Sequence, residues 1–505
     1  MSEEIEFMEK PSHYGRIPIY TSETTINSEN IRTIVEKAMN THEKNRRDIR
    51  FLIDYEKGRQ PILDRIKKVR PEINIKSVQN HASQIVDFKL AYVFGSPINY
   101  VQRAEKESKE SDVEKDDTCV MRLNEMFYEE NKASLDQELA KTFLTCGVAY
   151  RAAFPRKSLE KKGISDFVLL NLDPMTTFVI YSADVFHKKM LSVTYWDEPE
   201  DSAVLKKRHY TAYTDEDVFT FDSDPLGPIS RTTNGIGLNP IIEYRNDYQK
   251  MGSFERVLGL LDAINLCTSD RMNGLAQFVQ SFTWFNNVEL DEDETKSLFA
   301  GGSLFTKSEE GLQASVQILS NALPQSDAQS LAMELYARLL EICHIPGREA
   351  SSSSSTGQST MLGGGWQEAE EDAHRQETMF REGEMELLRV VGNIISRADN
   401  EELREMKIRD IDIRFSRNKV ANFLVKTQGL SNLLTAGVHP RIAFQTSDLF
   451  TDPQQAWLDS IPYLEAIQPV TDSDDKNPSG QDIKSNNPET VTANQNEQMS
   501  FVNGE

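Results

Sequence analysis

Apolar residues recur at helical spacing early in the chain (Ile31, Ile34, Val35, Ala38, Met39), which predicts a helix from Ser28 to about Tyr55 after an extended arm over residues 1–30. The basic stretch from Lys44 to Arg50 reads first as a solvated helix face, with nucleic-acid contact as the alternative. A second helix is expected to end at Gly95, before the extended Ser96-Pro97-Ile98-Asn99-Tyr100. The run Glu105–Asp117 has almost no apolar residue and predicts a solvated loop, followed by one helix from about Cys119 to Phe143. The rhythm then changes. Gly147–Phe154, Phe167–Leu172, Thr177–Tyr181, Met190–Trp196, Arg208–Thr214 and Val218–Phe221 are aromatic and β-branched runs separated by turn residues, which predicts an antiparallel sheet with hairpins.

From Ser253 to Phe282 a single apolar stripe predicts a helix of roughly 45 Å. A small insert follows, with strands expected at Trp284–Val288, Ser303–Thr306 and Leu312–Ile318 around a short acidic helix near Asp291. Another helix runs from Pro324 to Pro346, with Leu331, Leu335, Leu339 and Ile342 on one face. Two adjacent rods bearing a knob cannot bury their own stripes, so neighbouring copies are expected to cover them, with Leu258, Leu261, Leu331, Leu335 and Leu339 at the boundary. Gly347–Gly365, with five consecutive serines, predicts a flexible loop. A third long helix spans Trp366–Arg397, acidic in its first half and apolar in its second. Residues 408–416 alternate as a strand, 419–470 are helical, and 471–505 form a disordered tail. Helices and strands in separate runs make the fold class α+β.

Charge narrows the functional classes. At −24 over 505 residues the chain cannot be an ordinary duplex binder, since that affinity comes from neutralising phosphates. A conduit that must let DNA slide has the opposite need, and acidity suits it. No apolar run is long enough for a membrane span, and the acidic start MSEEIEFMEK is unlike a signal peptide. The four cysteines lack CxxC spacing and read as free thiols in a reducing cytoplasm. The sequence near Gly357 lacks the lysine and preceding strand of a phosphate-binding loop, and the eight histidines show no metal-ligand spacing, so no cofactor or metal is expected. His81 and His344 are expected within helices as satisfied polar contacts. Asp291–Glu294 and Asp472–Asp475 lack the pattern of a calcium loop. Asp410 and Asp412 fall on one face of the predicted strand, with Arg409 and Arg414 turned away; a polar sheet face is the plain reading, a metal-dependent nuclease the alternative.

The order of parts resembles the portal proteins of long-tailed phages, in the branch found in phages of Gram-positive hosts. FKLAYVFGSPINY (Phe88–Tyr100) is similar to the family's helix ending in Tyr-x-x-Gly-x-Pro-Val, and GVAYRAAF (Gly147–Phe154) to its Gly-x-Ala-Tyr strand. NLDPMTTFVIY (Asn171–Tyr181) resembles its Asp-Pro turn, and GIGLNPIIEYRN (Gly235–Asn246) its Gly-x-x-Pro-Ile signature. RFSRN (Arg414–Asn418) and DPQQAW (Asp452–Trp457) look like two C-terminal signatures. The resemblance covers roughly residues 30–470. Gly437-Val438-His439-Pro440 departs from it, where the family more often carries a Ser-x-Glu-Thr helix start.

The resemblance implies a ring, typically of twelve subunits, with a wing (31–251 and 366–418), a stem (252–282 and 321–346), a clip (283–320) and a crown (419–470). It implies a tunnel loop at 347–365 whose Arg348, Ser351, Ser352, Ser353, Ser354, Ser355, Thr356 and Gln358 face double-stranded DNA. The clip, with Trp284, Phe285, Asp291, Glu292, Asp293 and Glu294, would dock the terminase large subunit and later a head-completion or adaptor protein. Major capsid and scaffolding proteins are the other implied partners, with a role in nucleating the capsid. Its place is the virion portal vertex, reached from the host cytoplasm, with no membrane and no enzymatic step. A shorter class of head–tail ring protein, adaptor or stopper, is the nearer rival.

Overall fold

A computed structural model describes residue 11 and residues 14–463, except 69–70, 104–109, 157–164, 199–206, 280–281, 287–314, 320–324, 348–364, 399–407, 418–422, 448, 451–452, 454–455, 458 and 462. The chain divides into two units, Met1–Phe423 and Leu424–Glu505.

The stripe Ile31, Ile34, Val35, Ala38 and Met39 of α1 (Ile31–Glu56) is buried against a six-stranded sheet. That sheet runs β1 (Ile19–Thr21), β5 (Thr177–Ser182), β6 (Lys189–Asp197), β7 (Arg208–Tyr213), β8 (Asp217–Asp222) and β9 (Ser230–Thr233), in that order. Alternate residues (Phe178 and Ile180; Leu191, Val193 and Tyr195; Phe219 and Phe221) supply the facing layer, as a strand period of two requires. The expected N-terminal arm is not free here. β1 pairs in parallel with β5, and Arg16 and Gly15 bond the buried Glu255 at 2.6 and 2.8 Å. The strand is only three residues long, too short for an apolar period to mark it, although Ile19 is buried in the core.

His42 of α1 is buried in this layer, stacked on Phe178 at 4.5 Å and 3.2 Å from both the Met175 carbonyl and the Tyr195 hydroxyl. Burial lowers its pKa from 6.5 to about 4. An unfolded chain takes up this proton near pH 6.5 and the folded chain does not. Stability is therefore full above pH 6.5 and falls as pH drops toward 4, by about 3 kcal/mol from this group. His42→Gln is expected to reduce the difference between urea midpoints at pH 7.5 and pH 4.5; an unchanged difference would refute it.

A second sheet, β10 (Ile241–Arg245), β3 (Val148–Pro155) and β4 (Phe167–Leu172), is antiparallel. The sequence predicted one sheet for these strands; the structure divides them between two, with β3 buried on both faces. Ala149 and Ala153 enter the main core, and Val148, Tyr150 and Ala152 a second one with Ile49, Val179 and Ile241. The main core is roofed by α2 (His81–Phe94), α3 (Glu110–Glu129), α4 (Lys132–Cys146) and the long α7 (Trp366–Arg397). The expected solvated loop at 105–117 thus gives way to helix from Glu110, and the expected single helix breaks at Asn131, whose φ is +53°. Gly95 follows α2 as expected but with right-handed backbone, φ −66°. A Cβ at Gly383 would lie 2.5 Å from the Tyr244 ring, so only glycine lets α7 approach β10 this closely.

That approach delivers Glu384 into a buried ionic cluster. Its carboxylate is 3.1 Å from Lys132 and 3.5 Å from Arg151, and accepts from the Tyr244 hydroxyl at 3.0 Å and from Tyr100. Asp136 closes the set, 2.7 Å from Lys132 and 2.6 Å from Arg151. Burial opposes the Arg151 charge, yet Asp136 and Glu384 outweigh it and raise its pKa. Burial, then Glu384, pushes both tyrosine hydroxyls well above their ordinary range, so they stay protonated donors. Two cations and two carboxylates thereby join α4, β3 and α7, with tyrosines from β2 (Asn99–Gln102) and β10. β2 itself pairs with β13 (Ile411–Arg414).

In the second unit, α8 (Phe423–Thr435) and α9 (Pro440–Ser447) account for the segment that departed from the family pattern. Gly437, at φ +80°, ends α8 with Val438 N–H on the Leu433 carbonyl at 3.1 Å, and His439 Nδ1 accepts from Arg441 N–H at 3.2 Å at the start of α9. Phe444 stacks on Phe450 at 5.1 Å and meets Trp457 at 5.7 Å.

Candidate functional site

After a short 3-10 turn at Glu255–Val257, α5 (Leu258–Val279) runs beside α6 (Gln325–Ile342). It spans about 33 Å, shorter than expected, because Phe282 already belongs to β11 (Phe282–Asn286). β11 pairs with β12 (Ser315–Leu319), Trp284 opposite Gln317 and Phe285 opposite Val316. The strands expected at Trp284–Val288 and Leu312–Ile318 are thus present over the described residues, β11 beginning two residues earlier and β12 ending one later. The strand expected at Ser303–Thr306 and the acidic Asp291, Glu292, Asp293 and Glu294 lie outside the described residues.

The buried face of α5 carries polar residues that the apolar stripe concealed. Asn265, Ser269 and Asn273, one turn apart and buried, bond an extended segment that lies along the helix. Gln79 N–H donates to Asn265 Oδ1 at 2.7 Å, Ser77 N–H to Ser269 Oγ at 2.9 Å, and Ile75 N–H to Asn273 Oδ1 at 2.6 Å. Asn273 Nδ2 returns a bond to the Ile75 carbonyl at 3.1 Å. Four helical residues rise about 6 Å and two extended residues about 6.6 Å, so three successive rungs fit. The signal was in the sequence, as a polar i, i+4, i+8 series that continues the face begun by Leu258 and Leu261.

The other end of α6 is closed by a left-handed turn. His344 lies past the helix at φ +56°, not within it as expected, and Ile345 N–H reaches the Leu340 carbonyl at 2.9 Å. Helix α7 begins at Gly365, also left-handed at φ +78°, where a Cβ would sit 3.7 Å from Pro346 Cα. The chain therefore leaves and re-enters at one point around residues 348–364. Helix α2 holds both sides of that point. On α6, Tyr336 accepts from Gln84 at 2.8 Å, and its ring lies tilted against His81 at 4.6 Å. On α7, Trp366 packs against Tyr92 at 5.9 Å, Asp372 pairs with Lys89 at 2.9 Å, and Glu370 accepts from the Tyr92 hydroxyl at 2.6 Å. Burial and Glu370 push the Tyr92 pKa up to about 12. Arg417 binds Glu377 at 2.7 Å from the far side. The acidic half of α7 is clamped, because each of Glu370, Asp372 and Glu377 finds a cation or hydroxyl.

The loop residues Arg348, Ser351, Ser352, Ser353, Ser354, Ser355, Thr356 and Gln358 lie outside the described residues. Among the boundary leucines, Leu258, Leu261 and Leu339 are buried in the chain's own core, and Leu335 packs against it. The rods are less exposed than expected because they pack into the core of their own subunit. Leu331 is 50% exposed and Leu275, which the stripe also contained, 59%. The carboxylate pair dissolves: Asp410 sits in a 3-10 turn, Ile408–Asp410, while Asp412 in β13 lies 3.4 Å from Arg414 and 3.5 Å from Arg381. Arg414, expected to face away, shares its side. Cys146 and Cys343 are buried, with pKa values raised by burial to about 12 and about 11, so neither is primed as a nucleophile. Among the described residues no group of histidine, cysteine and carboxylate could hold a metal, and no helix is long and apolar enough to cross a membrane.

Paired helices carrying a strand pair at one end and a pinned loop anchor at the other describe a scaffold that displays two segments. The chain belongs to the phage portal protein family of the SPP1 Gp6-like type, which matches residues 36–460. No curated protein matches it. Membership makes it a portal protein of a tailed phage, in a structural, non-enzymatic class, and implies an oligomeric ring at the capsid's portal vertex with capsid and DNA-packaging partners.

Proposed function

We propose that the chain lines a conduit, in a ring typically of twelve subunits, through which double-stranded DNA is packaged and later ejected. The observation that carries the detailed reading is the anchor at Pro346 and Gly365. A 17-residue excursion pinned at both ends reaches at most about 29 Å from its root, and it belongs to the Gly347–Gly365 segment proposed as the tunnel loop. Its serines offer neutral hydrogen bonds, and Arg348 is its single cation, so DNA meets few deep electrostatic wells. The wing, stem, clip and crown keep the boundaries given above as part of this reading. The strand pair β11–β12 supports a clip in which Trp284, Phe285 and Asp291–Glu294 dock the terminase large subunit and then a head-completion protein. Scaffolding and major capsid proteins meet the ring during assembly in the host cytoplasm, where it nucleates the shell, and a Gram-positive host completes the reading.

Replacing Ser351–Ser355 by lysine is expected to leave rings intact while slowing packaging or ejection several-fold, because each lysine adds a phosphate contact. DNA content per particle and ejection rate measure this. Wild-type values for both would overturn the assignment of the loop.

A further inference from the structure

Arg16 is buried more completely than its bonds account for. The segment that leads into β1 is tied down at successive residues. Gly15 N–H and Arg16 Nη2 donate to Glu255, Arg16 N–H donates to the Gln249 carbonyl at 3.0 Å, and Ile17 exchanges two bonds with the Asn45 side chain, at 2.8 and 2.9 Å. Arg16 itself is 4% exposed, and a guanidinium carries five N–H donors. Nη2 is bonded to Glu255, while Nε and Nη1 are shut off from bulk solvent with no acceptor among the described residues. A buried donor left without an acceptor is costly, so such groups are ordinarily met by the protein or by ordered water.

Arg16 also lines a small cavity between α1, β3 and β5, with about 20 Å³ of space open to a water molecule. One water needs about 10–15 Å³, so a single water fits and a larger ligand does not. Asn45, Tyr150 and Thr177 bring oxygen acceptors to the same lining. A water placed there has the two to four polar partners that buried waters keep. Charge decides between water and an ion. Lys250 in the lining is closed on Glu243 at 2.8 Å, and Arg16 on Glu255 at 2.6 Å. His42, also in the lining, is kept neutral by burial, and Asp48, close enough to Glu255 to raise its pKa, adds only negative charge. No positive charge is left over to hold chloride, and the guanidinium repels a metal cation.

We propose that this cavity is a binding site for one ordered water, which accepts from Arg16, donates to an oxygen of the lining and so secures β1 against α1 and β5. The site is internal to one subunit and stands apart from the ring reading. The first test is an experimental density map of the full-length protein that resolves internal waters. One isolated peak within hydrogen-bond distance of Arg16 Nε or Nη1 is expected. An empty cavity in a map that shows other internal waters, or a peak that bromide replaces, overturns the proposal. Hydrogen exchange is the second test. Arg16→Lys keeps a cation for Glu255 but loses the planar fork that holds Nε and Nη1 apart from it. The Ile19–Thr21 amides are expected to exchange several-fold faster in this variant, with β6 and β7 unchanged. Wild-type rates in β1, or an equal acceleration in β6 and β7, overturn the role given to the water.

Discussion

Glu384→Gln is expected to be among the most destabilising single changes in the chain, at about 3–5 kcal/mol. The side chain is fully buried and its carboxylate answers Lys132, Arg151, Tyr100 and Tyr244 together. Glutamine keeps the shape but removes one of two negative charges that balance two cations, leaving a net positive charge sealed in the core. Both tyrosines also lose a charged acceptor. Because the cluster joins α4, β3 and α7, the loss should spread through the first unit as a lowered urea midpoint. Asp136→Asn should behave similarly, and the double variant should cost less than the sum, since the two residues share partners. A Glu384→Gln protein with a wild-type midpoint would show that the cluster contributes little.

The second large effect separates folding from assembly. Leu261 is 1% exposed, so Leu261→Asp buries a carboxylate in an apolar site and is expected to abolish soluble protein. Leu275→Asp and Leu331→Asp alter half-exposed positions on the same helix pair. These are expected to give folded protein, with a native circular dichroism spectrum, that sediments as monomer because the stem faces of neighbours no longer meet. Soluble, ring-forming Leu261→Asp, or intact rings from both exposed variants, would contradict this division.

Much of this architecture was legible in the sequence wherever period and burial agree. Helix α7 spans Trp366–Arg397 as expected, and β4 spans Phe167–Leu172, because long regular stripes and turn-bounded strands leave little choice. What stayed hidden was too short or too polar to carry an apolar period. The strand Ile19–Thr21 is three residues long, the ladder on Asn265, Ser269 and Asn273 and the ionic cluster at Glu384 are polar, and the partners of all three lie far away in sequence. The boundary leucines failed in part for a related reason. A stripe says that a face is covered, not by what, and for Leu258, Leu261 and Leu339 the cover is the chain itself. For the segment proposed as the tunnel loop, composition predicts a flexible loop and the structure gives its two flanks, Pro346 and Gly365.

The central claim is that this acidic chain works as a closed ring and not as a single subunit. Mass photometry of the purified full-length protein tests it most directly. The account predicts one dominant species at a multiple of about twelve times the 57.4 kDa subunit, with no divalent-dependent cleavage of added duplex DNA. A species that stays at the mass of one or two subunits across concentration would contradict it.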